Sequence, residues 1–245
     1  MAVNKLKCNA DKTEVLVITP KNKSVNVSIK IDGTVVQVAG CVRNLGVLQD
    51  RNLTMEKHVN QVCRTTNFHL RRIGSIRRFL TSEATKSLVH SLITSRLDYC
   101  NSLLYALPQT LINKLQCIQN KAARLICRTP YREHITPVLR ELHWLPVHRR
   151  IEYKVLSYTY KAINSLAPVY LEQLLNKQQS TRCLRSSDSS RLQAPRTKTK
   201  YSDRTFSSAS AHLWNSLPEH VKCASSLNSF KQNLKTCLFI KEYGQ

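Results

Sequence analysis

LINKLQCIQNKAARLICR, residues 111–128, is the stretch from which the fold is read. Its apolar residues Leu111, Leu115, Ile118, Ala122 and Leu125 advance by four, three, four and three positions, so they share one face of an α-helix. The other face carries Lys114, Lys121, Arg124 and Arg128. Such a helix buries one side and turns a basic side outward, and the same division recurs along much of the chain.

Working toward the C-terminus, REHITPVLRELHWLPVHRR (132–150) leads into a second long helix. Pro146 suits its first turn, and its core positions are Ile151, Val155, Tyr158, Ala162 and Ile163, before Pro168. From Lys177 to Arg204 apolar periodicity gives way to Ser, Thr and eight basic residues against Asp188 and Asp203, which predicts a flexible basic loop. FSSASAHLWNSL (206–217) resumes helical patterning, and Leu227, Phe230, Leu234 and Leu238 mark a last amphipathic helix.

Toward the N-terminus, Thr81 or Ser82 with Glu83 announces a helix whose stripe runs from Ala84 through Leu88 and Leu92, with Val89 and Ile93, to Leu97. Before it, Met55, Val59, Val62, Phe68 or His69, and Ile73 approximate another stripe, among Arg64, Arg71, Arg72, Arg77 and Arg78. Gly74 is expected to interrupt that helix. Before residue 50 the pattern is β-type. EVLVIT (14–19), VNVSIKI (25–31), TVVQVAG (34–40) and VRNLGVL (42–48) read as strands, with Asp32-Gly33 as a hairpin turn. The expected fold is mainly α with a small N-terminal antiparallel β-hairpin sheet, an α+β chain of five to seven helices. Its expected segments are 1–50, 51–176, a loop at 177–205, and 206–245.

The 245 residues carry 38 Lys plus Arg against 15 Asp plus Glu, a net charge of +23. A balance this basic points to a polyanionic partner, nucleic acid first, because neutralising phosphates releases condensed counterions. The nine cysteines are scattered, with no C-x-x-C, which reads as reduced thiols inside a cell. The start MAVNKLKCNADKTE has no apolar signal region, and no apolar run has the length of a membrane span. The expected setting is intracellular, nuclear or cytoplasmic, with neither secretion nor membrane attachment.

Few catalytic patterns are present. His134, His143 and His148 flank Trp144, but their spacing matches no zinc pattern. A packed helix junction anchored by Trp144 and Leu145 is the leading reading, with contact to unpaired RNA bases through His, Trp and Arg149-Arg150 as the lesser one. No phosphate-cradling glycine motif and no G-x-S-x-G occurs, and only five glycines are present. No small-molecule substrate and no cofactor are expected.

Strings in order along the chain carry a family resemblance. They are LKCNADKTEVLVI (6–18), LGVLQDRNLTMEKHV (45–59), SRLDYCNSLLYALP (95–108), IQNKAARLICRTPYREHITPVLRELHWLPVHRRIEYKVL (118–156), YKAINSLAPVYLEQLL (160–175), LRSS (184–187), and LWNSLPEHV with SSLNSFKQNLKTCLF (213–239). Together they resemble the C-terminal half of LINE-type, jockey-like non-LTR retrotransposon reverse transcriptases. The resemblance implies that LKCNADKT is the last palm motif, with Lys12 near the incoming nucleotide's phosphates. It implies a primer-grip-like segment before residue 50 and a thumb-like helical domain after it. Arg64, Arg71, Arg72, Arg77, Arg78, Lys114, Lys121, Arg124, Arg128, Arg149 and Arg150 are then the expected contacts to RNA or an RNA–DNA hybrid.

Polymerases of that family hold two Mg²⁺ ions on carboxylates upstream of the lysine motif. This sequence contains no Asp-Asp pair. The expectation is a truncated, catalytically incomplete fragment of an RNA-directed DNA polymerase, not an enzyme on its own, that binds nucleic acid through basic helices. The alternatives are a non-functional coding remnant of a decayed mobile element and, last, a domesticated interaction domain, which would require apolar helix faces where these read basic.

Overall fold

β-Branched residues before residue 50 make two short hairpins. The protein is described from a computed structural model, which places residues 9, 12–18, 29–31, 34–178 and 191–244. β1 (Ile29–Ile31) pairs antiparallel with β2 (Thr34–Val36), Ile29 opposite Val36. The expected Asp32-Gly33 turn lies outside the described residues, as do Thr19 and residues 25–28 of the expected strands. EVLVIT contributes one parallel bridge, Val15 to Val38, where a full strand was expected.

The stretch expected as one strand over 42–48 is a second hairpin. β3 (Cys41–Asn44) turns at Leu45-Gly46 and returns as β4 (Val47–Asp50), with Cys41 opposite Asp50. Both turn residues have positive φ, 46° at Leu45 and 85° at Gly46, as a two-residue hairpin loop requires. Leu45 hides the turn in the sequence, because Asn or Asp usually precedes the glycine.

After β4 the chain is tied down by polar groups. Asp50 Oδ1 accepts from the Asn52 and Thr54 amides at 3.0 and 3.1 Å, and Oδ2 from Thr54 Oγ1 and the Met55 amide at 2.9 and 3.0 Å. Burial raises the Asp50 carboxyl, but these bonds outweigh it and hold it below its ordinary value. His58 is buried, and its Nδ1 accepts from the Leu48 amide at 3.4 Å. Burial pushes its imidazole below the ordinary value. These ties cross residue 50, where a boundary was expected. The chain divides into two compact units, 1–65 and 66–245, inside the first helix.

That helix, α1 (Glu56–Ile76), continues through Gly74 to a 3-10 turn at Arg77–Phe79, so the expected interruption does not occur. Its buried positions are His58, Val59, Thr66, Leu70 and Ile73, while Phe68 is 48% exposed. Thr66 concealed this stripe because a polar side chain stands at a core position.

Among the described residues, the regular elements of the 66–245 unit are all helices, with one isolated β-bridge. Thr81 caps α2 (Ser82–Val89), its side chain accepting from the Ala84 amide. A π-helical turn over His90–Thr94 joins it to α3 (Ser95–Asp98). The 3-10 turn Asn101–Leu104 precedes α4 (Gln109–Cys127), which buries Leu111, Leu115, Ile118 and Ala122 as expected, and then Ile126. Leu125 is only half-buried. Two polar residues of α4 also point inward. Gln119 Nε2 donates to the Leu145 carbonyl and Gln116 Oε1 accepts from the Val147 amide, each at 2.8 Å. They fix the junction between α5 (Ile135–Glu141) and α6 (Val147–Ile163), where Trp144 and Leu145 are buried as the packed-junction reading expects.

After α7 (Val169–Glu172) come α8 (Lys200–Asp203), α9 (Phe206–Asn215), α10 (Glu219–Lys222) and α11 (Leu227–Tyr243). Rather than forming a separate segment, 206–245 shares a core with α6. Tyr160 stacks on Phe230 at 4.3 Å, Trp214 lies 5.9 Å from the same ring, and Leu156, Val221, Leu234 and Leu238 complete the cluster. The ends of the expected 177–205 loop are pinned. Lys177 bridges Leu192, and Asn215 brackets buried Leu192 by accepting from its amide and donating to its carbonyl. Residues 179–190 lie outside the described residues.

Candidate nucleic-acid interface

Within the 66–245 unit, the C-terminal half of α1 meets α4. Lys121 Nζ donates to Asn67 Oδ1 at 3.4 Å, the Gly74 backbone faces Leu125, and Arg77 reaches the Leu125 and Ile126 carbonyls. Between them lies an open cleft of about 550 Å³ lined by Asn67, Leu70, Arg71, Lys121 and Leu125. Arg71 and Lys121 are thereby brought to one opening.

On or just past the same two helices, Arg72, Arg78, Lys114 and Arg128 are exposed. Lys114, Lys121 and Arg128 are spaced by seven residues, as are Arg64, Arg71 and Arg78, with Arg128 and Arg78 standing just past the ends of α4 and α1. Seven residues advance about 10.5 Å along a helix and return to almost the same face. A nucleic-acid strand, with a phosphate about every 3.4 Å of axis, offers about three charges over that rise. The seven-residue period was present in the sequence and is the signal that groups these cations into stripes.

Aromatic rings are interleaved with the charges. The Arg72 guanidinium lies 5.4 Å from the Phe68 ring, and that of Arg78 lies 4.6 Å from Phe79, which is 74% exposed. Exposed ring–guanidinium pairs offer flat faces on which bases stack, beside the charge that holds their phosphates.

Four of the expected contacts are committed to the protein itself. Arg77 donates to the carbonyls of Leu80, Leu125 and Ile126 at 2.9, 2.9 and 3.0 Å, closing the C-terminal end of α4, where its charge complements the helix dipole. Arg124 donates to the Pro130 and Glu133 carbonyls and lies over Tyr131. Arg149 pairs with Glu152 at 2.8 Å and Glu242 at 3.0 Å, tying α6 to α11. Burial opposes its charge, but hydrogen bonds and attraction from the two glutamates outweigh it and push the guanidinium up. Arg150 grips Asp98 with two donors.

Two expected positions belong to the other unit, and Arg64 stands on α1 seven residues before Arg71. Lys12 and Arg64 are exposed residues of the 1–65 unit. The three histidines do not converge: His134 precedes α5, His143 lies 5.6 Å from the Phe239 ring, and His148 Nε2 is 3.2 Å from Glu242. Among the described residues no group of three or more His, Cys, Asp and Glu side chains is placed to hold a metal ion. Nor, among them, is any helix long and apolar enough to cross a membrane. No disulfide joins the seven described cysteines.

Comparison with known proteins finds no match among family models, curated proteins or solved structures.

Proposed function

We propose that the chain is a nucleic-acid-gripping module of the LINE reverse-transcriptase type, catalytically incomplete, which holds RNA or an RNA–DNA hybrid by its phosphates. The observation that carries this reading is that Arg71 of α1 and Lys121 of α4 share one cleft, with Arg72, Arg78, Lys114 and Arg128 exposed on or just past the same helices. Phosphate contacts of this kind position a duplex without reading its sequence, which suits a polymerase thumb. Arg77, Arg124, Arg149 and Arg150 act as internal ties and leave the list of contacts. No Asp-Asp pair is present to hold catalytic metals, so the chain does not polymerise DNA by itself.

The test is fluorescence anisotropy with a labelled RNA–DNA hybrid, run with primer extension on the same sample. The combined substitution Arg71→Ala, Lys121→Ala and Arg128→Ala is expected to weaken hybrid binding at least about tenfold in low salt, with no extension product from any variant. Unchanged binding contradicts the assigned face, and template-dependent extension contradicts the catalytic claim.

One observation favours a second reading as an interaction domain. Leu166, Val169, Tyr170 and Leu174, around α7, are 57%, 65%, 66% and 47% exposed. Self-association abolished by Val169→Ser with Tyr170→Ser supports that reading, and a monomer by sedimentation removes its simplest form.

A further inference from the structure

Resting on the nucleic-acid reading above, we propose that a second cleft, beside the π-helical turn of His90–Thr94, binds one unpaired nucleotide of a nucleic-acid strand. The cleft holds about 520 Å³, within the range of pockets that take small molecules. Four basic side chains, Lys86, Lys154, Lys235 and Arg150, line it with Asp98. Arg150 is neutralised by Asp98. The three lysines make no hydrogen bond or ion pair among the described residues, so the opening carries their charge uncompensated and suits a phosphate.

Charge alone fits any anion, but the buried end of the cleft asks for more. Asn101, 2% exposed, lines it with an Oδ1 that has no hydrogen-bond partner, while its Nδ2 donates to Asp98 Oδ1 at 3.4 Å. A buried acceptor in this state is satisfied by a ligand that brings an N–H or O–H donor. Trp144 and Tyr153 supply apolar wall, and the His90 ring meets Trp144 edge-on at 5.6 Å. A ligand with a phosphate, a flat ring and hydrogen-bond donors is a nucleotide. The turn itself is a single π-bulge in an otherwise α-helical run, a deformation frequent at functional sites. Burial, then Arg150 and Lys86, lower the His90 imidazole against the opposing pull of Asp98, in keeping with a positive field in the cleft.

A path to the cleft is also present. A neighbouring opening of about 710 Å³, lined by Arg77, Arg128 and Lys86 among others, shares Lys86, Leu142 and His143 with it. That opening carries Glu83 and Glu141 beside Arg128 and Lys86, and it leads from Arg128, at the end of α4, to the nucleotide cleft. Sequence reading could not assemble this site, because Lys86, Asn101, Lys154 and Lys235 are far apart in the chain.

The source of the nucleotide, free or within an unpaired strand, is separated by the probes. Tryptophan fluorescence of a Trp214→Phe chain, which reports Trp144 alone, is titrated with inorganic phosphate, with 5′-AMP and with a single-stranded oligoribonucleotide, while hybrid binding is followed by anisotropy. AMP and the oligonucleotide are expected to act at concentrations at least about tenfold below phosphate, the oligonucleotide being the tighter. The surface variant Lys86→Ala, Lys154→Ala and Lys235→Ala is expected to abolish that advantage and leave hybrid binding within about twofold, and Asn101→Ser to reduce discrimination of AMP from phosphate. Equal action of phosphate and AMP, with hybrid binding intact, overturns the pocket alone. AMP binding retained in a chain that ignores the hybrid supports the pocket and overturns the duplex reading, and AMP outbinding the single strand overturns the strand as its source.

Discussion

The outer face of α1 and α4 and the α6–α9–α11 core are built from the same amphipathic pattern, yet they dispose of their polar groups in opposite ways. In the core Phe230 is met by Tyr160 and Trp214, Arg149 by Glu152 and Glu242, and Leu192 by Asn215. On the outer face Arg71, Arg78 and Arg128 point to solvent. The lesson is that a basic residue in this sequence is structural where a carboxylate or an unsatisfied carbonyl lies within reach, and is available to a partner where none does.

Breaking the closed region carries the largest cost. Phe230→Ala removes a fully buried ring and is expected to destabilise the protein by about 3–5 kcal/mol in urea or thermal unfolding. A loss under about 1 kcal/mol would mean that the aromatic cluster is not the centre of the core.

The sharpest contrast is between neighbours on the same helix-end turn. Arg77→Met strands three backbone carbonyls and is expected to cost about 2–3 kcal/mol, whereas Arg78→Ala is expected to change stability by less than about 0.5 kcal/mol and to weaken hybrid binding instead. Equal effects of the two on stability would erase the division between structural and available arginines.

The N-terminal unit closes its polar groups too, and acid should expose that. Asp50 has a folded pKa below its unfolded value of 3.8, so its stabilisation is complete above that value and is lost as pH falls through the lowered one. His58 accepts through Nδ1 and must stay neutral. Its folded value lies below 6.5, so stability begins to fall as pH drops beneath 6.5 toward that lowered value. Melting of this unit between pH 7 and pH 3 should therefore soften in two stages, and Asp50→Asn should remove the lower one. A flat profile would contradict both assignments.

The smallest effect is a gain. A methyl group on Gly74 meets nothing nearer than Leu125 Cδ1 at 4.0 Å, so Gly74→Ala should stabilise α1 by about 0.5–1 kcal/mol without changing hybrid affinity.

Much of the fold was legible where burial alone decides it. Leu111 to Ala122 on α4, Leu227 to Leu238 on α11 and the cap at Thr81 follow directly from periodicity and hydrogen-bonding chemistry. What could not be read depends on partners distant in sequence or on backbone geometry. Arg77 looks like its neighbour Arg78 until the carbonyls of Leu125 and Ile126 arrive beside it. The Leu45-Gly46 turn lacks the usual Asn, and the continuous helix at Gly74 shows packing overriding propensity. Of the expected contact residues, the α1 and α4 faces were legible as stripes, whereas the commitment of Arg149 and Arg150 required Glu242 and Asp98 to be located.

The most direct test of the central claim is the salt dependence of hybrid binding. The slope of log affinity against log salt should be steep for the parent chain, and the triple Arg71→Ala, Lys121→Ala, Arg128→Ala variant should flatten it by about 2–3, close to one per phosphate contact removed. An unaltered slope, or parent binding that ignores salt, would contradict a phosphate-gripping face on α1 and α4.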